Sequence, residues 1–195
     1  LTGTEASDRV PDGADGSGRD YRERPLADLL ADIAGSGPVP AAGSTIAATA
    51  AMAAGLVAKT AARSAARFDE SERVRADAAA VAEELASLIT EDARLYAAAL
   101  AVPKSERAAA FGKTTVVPLA VATAGETTAR LAWLLVRQGN PNLRFDAAAA
   151  AALAAAAAQV AVTLLEANSS GGVAEASKAA EKAAEFAREC AKSNR

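Results

Sequence analysis

Gly139-Asn140-Pro141-Asn142-Leu143-Arg144-Phe145-Asp146 joins the end of one long apolar run directly to the start of another. Gly139 suits the left-handed C-terminal cap of the run ending at Gln138. Asn140 can cap the helix that follows, and Pro141 fits its first turn, where a missing N–H costs nothing. A helix stop followed at once by a helix start turns the chain back on itself. Asp146 sits in the opening turn of the second run, where a carboxylate is well placed for capping or for chemistry.

Working outward, 195 residues suit one domain or one domain plus a tail, and the 51% that are apolar suffice for a core. Most of that half is alanine, the best helix former, which buries little area at about 25 cal/mol per Å². Such helices must pack very closely or share their faces with another subunit. β-Branched residues form no alternating run of useful length, so the expectation is an all-α, multi-helix bundle that forms a homodimer. Residues 1–20, rich in Gly, Asp, Ser and Pro, read as a flexible tail without a secretory signal, leaving 21–195 as the helical domain.

A short helix is expected over about 25–34, with Leu26, Leu29, Leu30 and Ile33 on one stripe. Gly43 or Ser44 opens a long helix to about Phe68, uncharged from Thr45 to Ala58. Alanine and threonine are poor bilayer residues and the run is shorter than the roughly 20 residues of a membrane span, so it reads as a central helix buried on nearly all sides. Asp69 and Glu72 suit a capping box for a helix to about Leu100. Its inward stripe includes Val81, Leu85, Leu88, Ile89, Leu95 and Tyr96, and Asp92 interrupts it. A carboxylate among core positions costs several kcal/mol unless it is partnered or faces a cavity. Residues 106–138 read as one helix that Gly112, Gly125 and above all Pro118 kink or split, with Leu131, Leu134 and Leu135 inward. Asn140 to Ala167 supplies the next, and a charged, peripheral helix over about 173–192 carries Cys190 incidentally.

The formal charge of −3 with signs interleaved argues against nucleic acid, which needs clustered Lys or Arg. One cysteine forms no internal disulfide, which leans to a reducing, cytoplasmic compartment. There is no histidine. Histidine triads and most zinc sites are thereby excluded, no metal is expected, and proton transfer falls to Asp, Glu, Lys, Tyr or water.

Four stretches together resemble the cyclodeaminase/cyclohydrolase family, an all-helical domain that acts on one-carbon-substituted tetrahydrofolates. Gly37-Pro38-Val39-Pro40-Ala41-Ala42-Gly43-Ser44 is similar to its S-P-T-P-G-G-G-S loop. Glu91-Asp92-Ala93 with Tyr96, then Pro103-Lys104, resembles its D-A-x-x-F and L-P-K stretch, and Val117-Pro118-Leu119 with Val121-Ala122 its V-P-L-x-V-A helix. Asn140-Pro141-Asn142 to Asp146 completes the set, in the family's order. The departures are Ala41 and Ala42 in place of two glycines, Phe145 in place of serine, Arg144 where a small or apolar residue is commoner, and a shorter stretch between Lys104 and Val117.

The resemblance implies a small-molecule substrate, a tetrahydrofolate derivative, with no tightly bound cofactor and no nucleic-acid or membrane partner. In the deaminase reaction N10 attacks the formimino carbon on N5 and ammonia leaves; in the hydrolase reaction water attacks the methenyl carbon and the ring opens. Both need a positioned base, a proton for the leaving nitrogen and negative charge near a cationic carbon. Asp146 and Asp92 are the candidate carboxylates, and if both face one cavity they form a negative site in which one pKa is raised. Lys104 is the candidate proton donor or tail binder. Pro40, Ala41, Ala42, Gly43 and Ser44 with Asn140, Asn142 and Arg144 are the candidate binding residues. Each also has a structural reading: Asp146 and Ser44 as caps, Lys104 as a solvated cation, Asp92 as a paired carboxylate, Arg144 as neutralising Asp146. Three classes stay open: folate cyclohydrolase or cyclodeaminase, the same fold redirected to opening or closing another ring, and a non-catalytic helical dimer.

Overall fold

A computed structural model describes residues 20–168 and 171–193. Among the described residues there are seven α-helices and two 3-10 turns, and no strand. The tail expected over 1–20 lies outside them except for Asp20, whose side chain caps the 3-10 turn at Tyr21–Glu23.

The helices are α1 (Leu26–Ala34), α2 (Ala42–Ala62), α3 (Ser71–Ala101), α4 (Arg107–Thr114), α5 (Val116–Gln138), α6 (Arg144–Asn168) and α7 (Val173–Lys192). Helix α2 packs between α3 and α6, while α5 lies against α6, α7 and α2. The long helices alternate in direction. Ser44 at the start of α2 meets Asp92 late in α3, and Ser64 just beyond α2 meets Asn140 at the end of α5. The bundle therefore has one end holding the Pro38–Ser44 loop, Asp92 and the α3–α4 turn, and another holding residues 63–70, 139–146 and the C-terminus of α7.

Alanine does most of the packing. Ala147, Ala150, Ala151, Ala154, Ala157, Ala158 and Ala161 form the buried face of α6, against Ala47, Ala50, Ala53 and Ala54 of α2 and Ala129 and Ala132 of α5. Side chains this small let helix backbones approach closely, which replaces the area a leucine face would bury.

Several local expectations change. Gly139 is extended, at φ −77° and ψ −164°, instead of left-handed. What it needs is space, since a Cβ there would lie 2.6 Å from the Leu135 carbonyl oxygen and 3.0 Å from Ser64 Oγ. Helix α2 stops at Ala62 instead of continuing to about Phe68, as Ser64 turns its hydroxyl onto the Thr60 carbonyl at 2.8 Å. The capping box at Asp69 and Glu72 does not form: Glu70 is the cap residue of α3, and Glu72 pairs with Arg75 instead. The helix over 106–138 splits at Thr115, three residues before Pro118, whose missing N–H leaves the Thr114 carbonyl without a helical partner. Helix α7 is less peripheral than expected. It inserts Ala176, Ala179, Ala180, Ala183 and Cys190 into the core, and burial pushes the Cys190 thiol up to about 11.

Two apolar faces stay open. On α1 only Leu29 is buried, and Leu26 and Leu30 are exposed, because this short helix is anchored by Arg24, which pairs with Asp28 and Asp32, more than by its stripe. Helix α2 was expected to be enclosed, yet Thr45 and Met52 are exposed and continue across α6 as Leu153, Val160 and Phe145. By length and composition alone, Ala42–Ala62, Arg107–Gln138 and Pro141–Asn168 are apolar enough to cross a membrane. In Ala42–Ala62 and Pro141–Asn168 the apolarity is largely alanine, and the buried faces of the three segments are engaged with one another.

Candidate active site

Helix α2 starts without a side-chain cap, since its cap residue is Ala41. The cap comes from another helix. Asp92, in the last third of α3, accepts a hydrogen bond from the backbone N–H of Ser44 and lies 2.9 Å from the Ser44 hydroxyl. The first N–H groups of a helix lack intrahelical partners and carry partial positive charge, so a carboxylate is favoured there. Gly43 makes the approach possible: a Cβ at that position would lie 2.0 Å from Asp92 Oδ1. Of the glycines in the resembled loop, the one kept here is the one this contact requires.

Asp92 is 7% exposed, and it is the only charged side chain among the buried polar residues described. Burial raises its pKa above the ordinary carboxylate value, against the two Ser44 hydrogen bonds, which lower it. No Lys or Arg forms an ion pair with it among the described residues, so the paired reading of Asp92 gives way to a hydrogen-bonded one. Its neighbour Glu91 shows the contrast: it faces outward, and the Arg94 guanidinium at 2.6 Å holds it below the ordinary range. A carboxyl that keeps its proton to higher pH, beside a helix terminus that tolerates the anion, is equipped to give and take a proton.

Pro40 and Gly43 are buried, and Ala41 and Ala42 are exposed at the same end. Lys104 is there too, exposed in the turn beyond α3, with Tyr96 packed edge-on against Phe111 of α4 at 5.2 Å between ring centroids. An open groove of about 320 Å³ runs beside this end, lined by Ala42, Thr45 and Thr49 of α2 and by Ala156, Ala157 and Val160 of α6. The α6 contribution had no motif to announce it. The one sequence signal was Thr45 and Thr49, four residues apart in the uncharged part of the helix.

Asn140, Asn142, Arg144 and Asp146 are at the other end. Ser44 and Ser64 are separated by the length of α2, about 30 Å at 1.5 Å per residue, so Asp92 and Asp146 do not share a cavity within one subunit. The Asn-Pro-Asn turn makes its hydrogen bonds within the subunit. The Asn140 N–H donates to Ser64 Oγ at 2.9 Å, its amide to the Arg63 carbonyl at 3.2 Å, and its Oδ1 accepts from the Asn142 N–H at 3.1 Å. Arg144 reaches the Ser193 carbonyl at 3.3 Å, tying down α7 instead of neutralising Asp146. Asp146 is half-buried in the first turn of α6. Among the described residues no group of three or more metal-ligating side chains occurs.

Among the described residues the all-α bundle holds one buried carboxyl, at a helix N-terminus beside a Pro- and Ala-bearing loop, and the sequence has no histidine. A model of the formiminotransferase-cyclodeaminase family matches residues 25–189, and the chain belongs to that family. Among solved structures it is similar to the formiminotetrahydrofolate cyclodeaminase of Thermotoga maritima, with a TM-score of 0.76 and 20% identity over 89% of this chain and 94% of that one. At that identity the likeness is one of fold. No curated protein matches the chain.

Proposed function

We propose that this chain is an enzyme of one-carbon-substituted tetrahydrofolates, a formiminotetrahydrofolate cyclodeaminase or a methenyltetrahydrofolate cyclohydrolase, with Asp92 as its acid–base carboxyl. The observation that carries the reading is the buried Asp92 at the N-terminus of α2, without an ion-paired Lys or Arg among the described residues, together with family membership. As a cyclodeaminase, N10 bonds to the formimino carbon, Asp92 takes the N10 proton, and the C–NH₂ bond breaks as ammonia receives a proton. As a cyclohydrolase, the same carboxyl takes a proton from water as oxygen bonds to the methenyl carbon, and the ring C–N bond breaks. One carboxyl serves as base and then as acid in either course, and the cationic carbon needs no metal to activate it. Lys104, exposed at this end, supplies positive charge for the anionic tail of a folate. The single cysteine is in keeping with a cytoplasmic enzyme.

The second carboxylate comes from a second copy of the chain. The face formed by α2 and α6 has a groove at one end and Phe145, 69% exposed, at the other. In a dimer with its two-fold axis across the helices near Met52 and Leu153, the partner's Phe145 would face the groove and the partner's Asp146 its rim. Such an antiparallel, self-complementary contact buries the exposed Met52, Leu153 and Val160 and repeats on both sides. It also reconciles the roughly 30 Å between Asp92 and Asp146 in one subunit with a site that uses both.

A second reading, opening or closing a ring on another small molecule, is favoured by one observation. The Ala42 methyl lines the groove where the resembled loop has glycine, narrowing it. A binding scan of 5-formyl-tetrahydrofolate against unrelated cyclic metabolites, followed by turnover of the formimino and methenyl substrates, tests both. Saturable folate binding with turnover supports the first reading; folate indifference beside binding of another ring compound rejects it for the second.

A further inference from the structure

Ser44 is fully buried, and its hydroxyl oxygen lies between two acceptors, 2.9 Å from Asp92 Oδ2 and 3.0 Å from the carbonyl oxygen of Ile89. A hydroxyl has one proton to donate and two lone pairs to accept with. It therefore donates to only one of these oxygens at a time. With Asp92 ionised, the Ser44 O–H points at Oδ2. With Asp92 protonated, the acid O–H donates to Ser44 Oγ and the Ser44 O–H turns to the Ile89 carbonyl. Both arrangements use the same heavy-atom positions.

We propose that Ser44 is a positioning residue for Asp92, a hydroxyl that reverses its hydrogen bond as the carboxyl gains or loses its proton, so that the carboxyl changes charge without moving. The inference rests on the reading of Asp92 as the acid–base group. In the base step the lone pair of the attacking nitrogen or water oxygen forms the new bond at carbon, the N–H or O–H bond breaks with its electron pair left on that atom, the proton joins the Asp92 carboxylate, and the Ser44 O–H swings to Ile89. In the acid step that proton passes to the departing nitrogen, and the Ser44 O–H swings back. No atom of the protein other than these hydrogens is displaced, which keeps reorganisation small.

The surroundings leave Ser44 as the partner that responds. Helix α2 has no ionisable side chain from Ala42 to Ala58. On α3, Glu91 is paired with Arg94. In the N-terminal segment Asp20 pairs with Arg22, and Asp28 and Asp32 pair with Arg24. Beyond α3, Lys104 and Lys113 are exposed, and Arg107 is turned to the Val102 and Leu100 carbonyls. Burial raises the Asp92 pKa and the Ser44 bonds lower it, as a hydrogen bond to the charged form does.

The test is the titration of Asp92, read by carboxyl ¹³C NMR in the full chain, with Asp92→Asn to assign the signal, in the wild type, Ser44→Ala and Ser44→Thr. Ser44→Ala is expected to raise the midpoint by about one pH unit, a tenfold change in ionisation, and to move the acidic limb of the kcat profile in step, with kcat lower about tenfold and KM little changed. Ser44→Thr, which keeps the hydroxyl, restores both. If Ser44→Ala does not fold, Ser44→Cys, with its far weaker donor, takes its place and is expected to move the midpoint the same way. An Asp92 midpoint that is the same with and without the hydroxyl overturns the proposal. A midpoint that moves while Asp92→Asn keeps full turnover leaves the Ser44–Asp92 switch standing and removes the catalytic reading beneath it.

Discussion

At one end of the bundle Asp92 is buried against the N-terminus of α2, with a hydroxyl and an amide as partners and no ion-paired Lys or Arg among the described residues. At the other, Asn140 and Ser64 direct their donors and acceptors to each other and to the carbonyls of Thr60 and Arg63. Both ends are built from short polar motifs at helix termini, and both carry the family's residues. The first holds a charge that water would solvate better; the second leaves its hydrogen bonds closed. The first arrangement suits proton transfer, and the second fixes the turn that leads into Asp146.

The sharpest way to break this contrast is Asp92→Asn, for which turnover is expected to fall at least about a hundredfold, as for loss of a general acid or base. The protein should at the same time become more stable at neutral pH. The native Asp92 carboxyl keeps its proton to a higher pH than the unfolded one. The native state therefore binds more protons in that window, and stability falls as pH rises from about 3.9 through the raised native value. Asparagine keeps an acceptor for the Ser44 N–H and has no charge to bury. Urea unfolding at pH 4 and pH 7 should show the wild type losing stability relative to the variant as pH rises. Equal dependence in both would make Asp92 an ordinary surface-like carboxylate.

A smaller effect is expected from Phe145→Glu, which puts a charge where the two-fold contact needs an apolar knob. Sedimentation at micromolar concentration should show dimers for the wild type and monomers for the variant, with helix content retained. Monomeric wild-type protein would remove the shared face from the account. The smallest effect belongs to Ser64→Ala. Removing the hydroxyl leaves the Asn140 N–H without its partner, worth about 1–2 kcal/mol, read as a lower urea midpoint. Turnover per folded molecule should stay within about twofold, since Ser64 bonds to the Thr60 carbonyl and the Asn140 N–H and to neither carboxyl of the proposed site. A collapse of turnover at unchanged stability would make the Asn-Pro-Asn turn chemical after all.

The helices were legible because alanine runs, Pro118, Gly139-Asn140-Pro141 and the Gly35–Pro38 break act locally, and α7 begins and ends where its pattern does. What sequence left open was longer in range. Asp92 interrupting a stripe announced an unusual carboxylate, yet its partner lies on another helix and depends on Gly43 lacking a side chain. The stop at Ala62 was hidden because Ser64 acts through Asn140, 76 positions away. Asp92 and Asp146 looked like one site within a single subunit because motif order does not give spatial order. In an up-and-down bundle, residues in successive motifs fall at opposite ends as often as at the same one.

The central claim, a site made from Asp92 of one subunit and Asp146 of the other, is tested most directly by mixing two inactive variants. Asp92→Asn and Asp146→Asn, each expected to lose about a hundredfold alone, are dissociated together and allowed to reassociate. Random reassortment makes half the dimers mixed, each with one intact and one doubly altered site, so activity should return to about one quarter of wild type. A mixture no more active than its components, or an Asp146→Asn protein that is fully active by itself, would contradict the shared site.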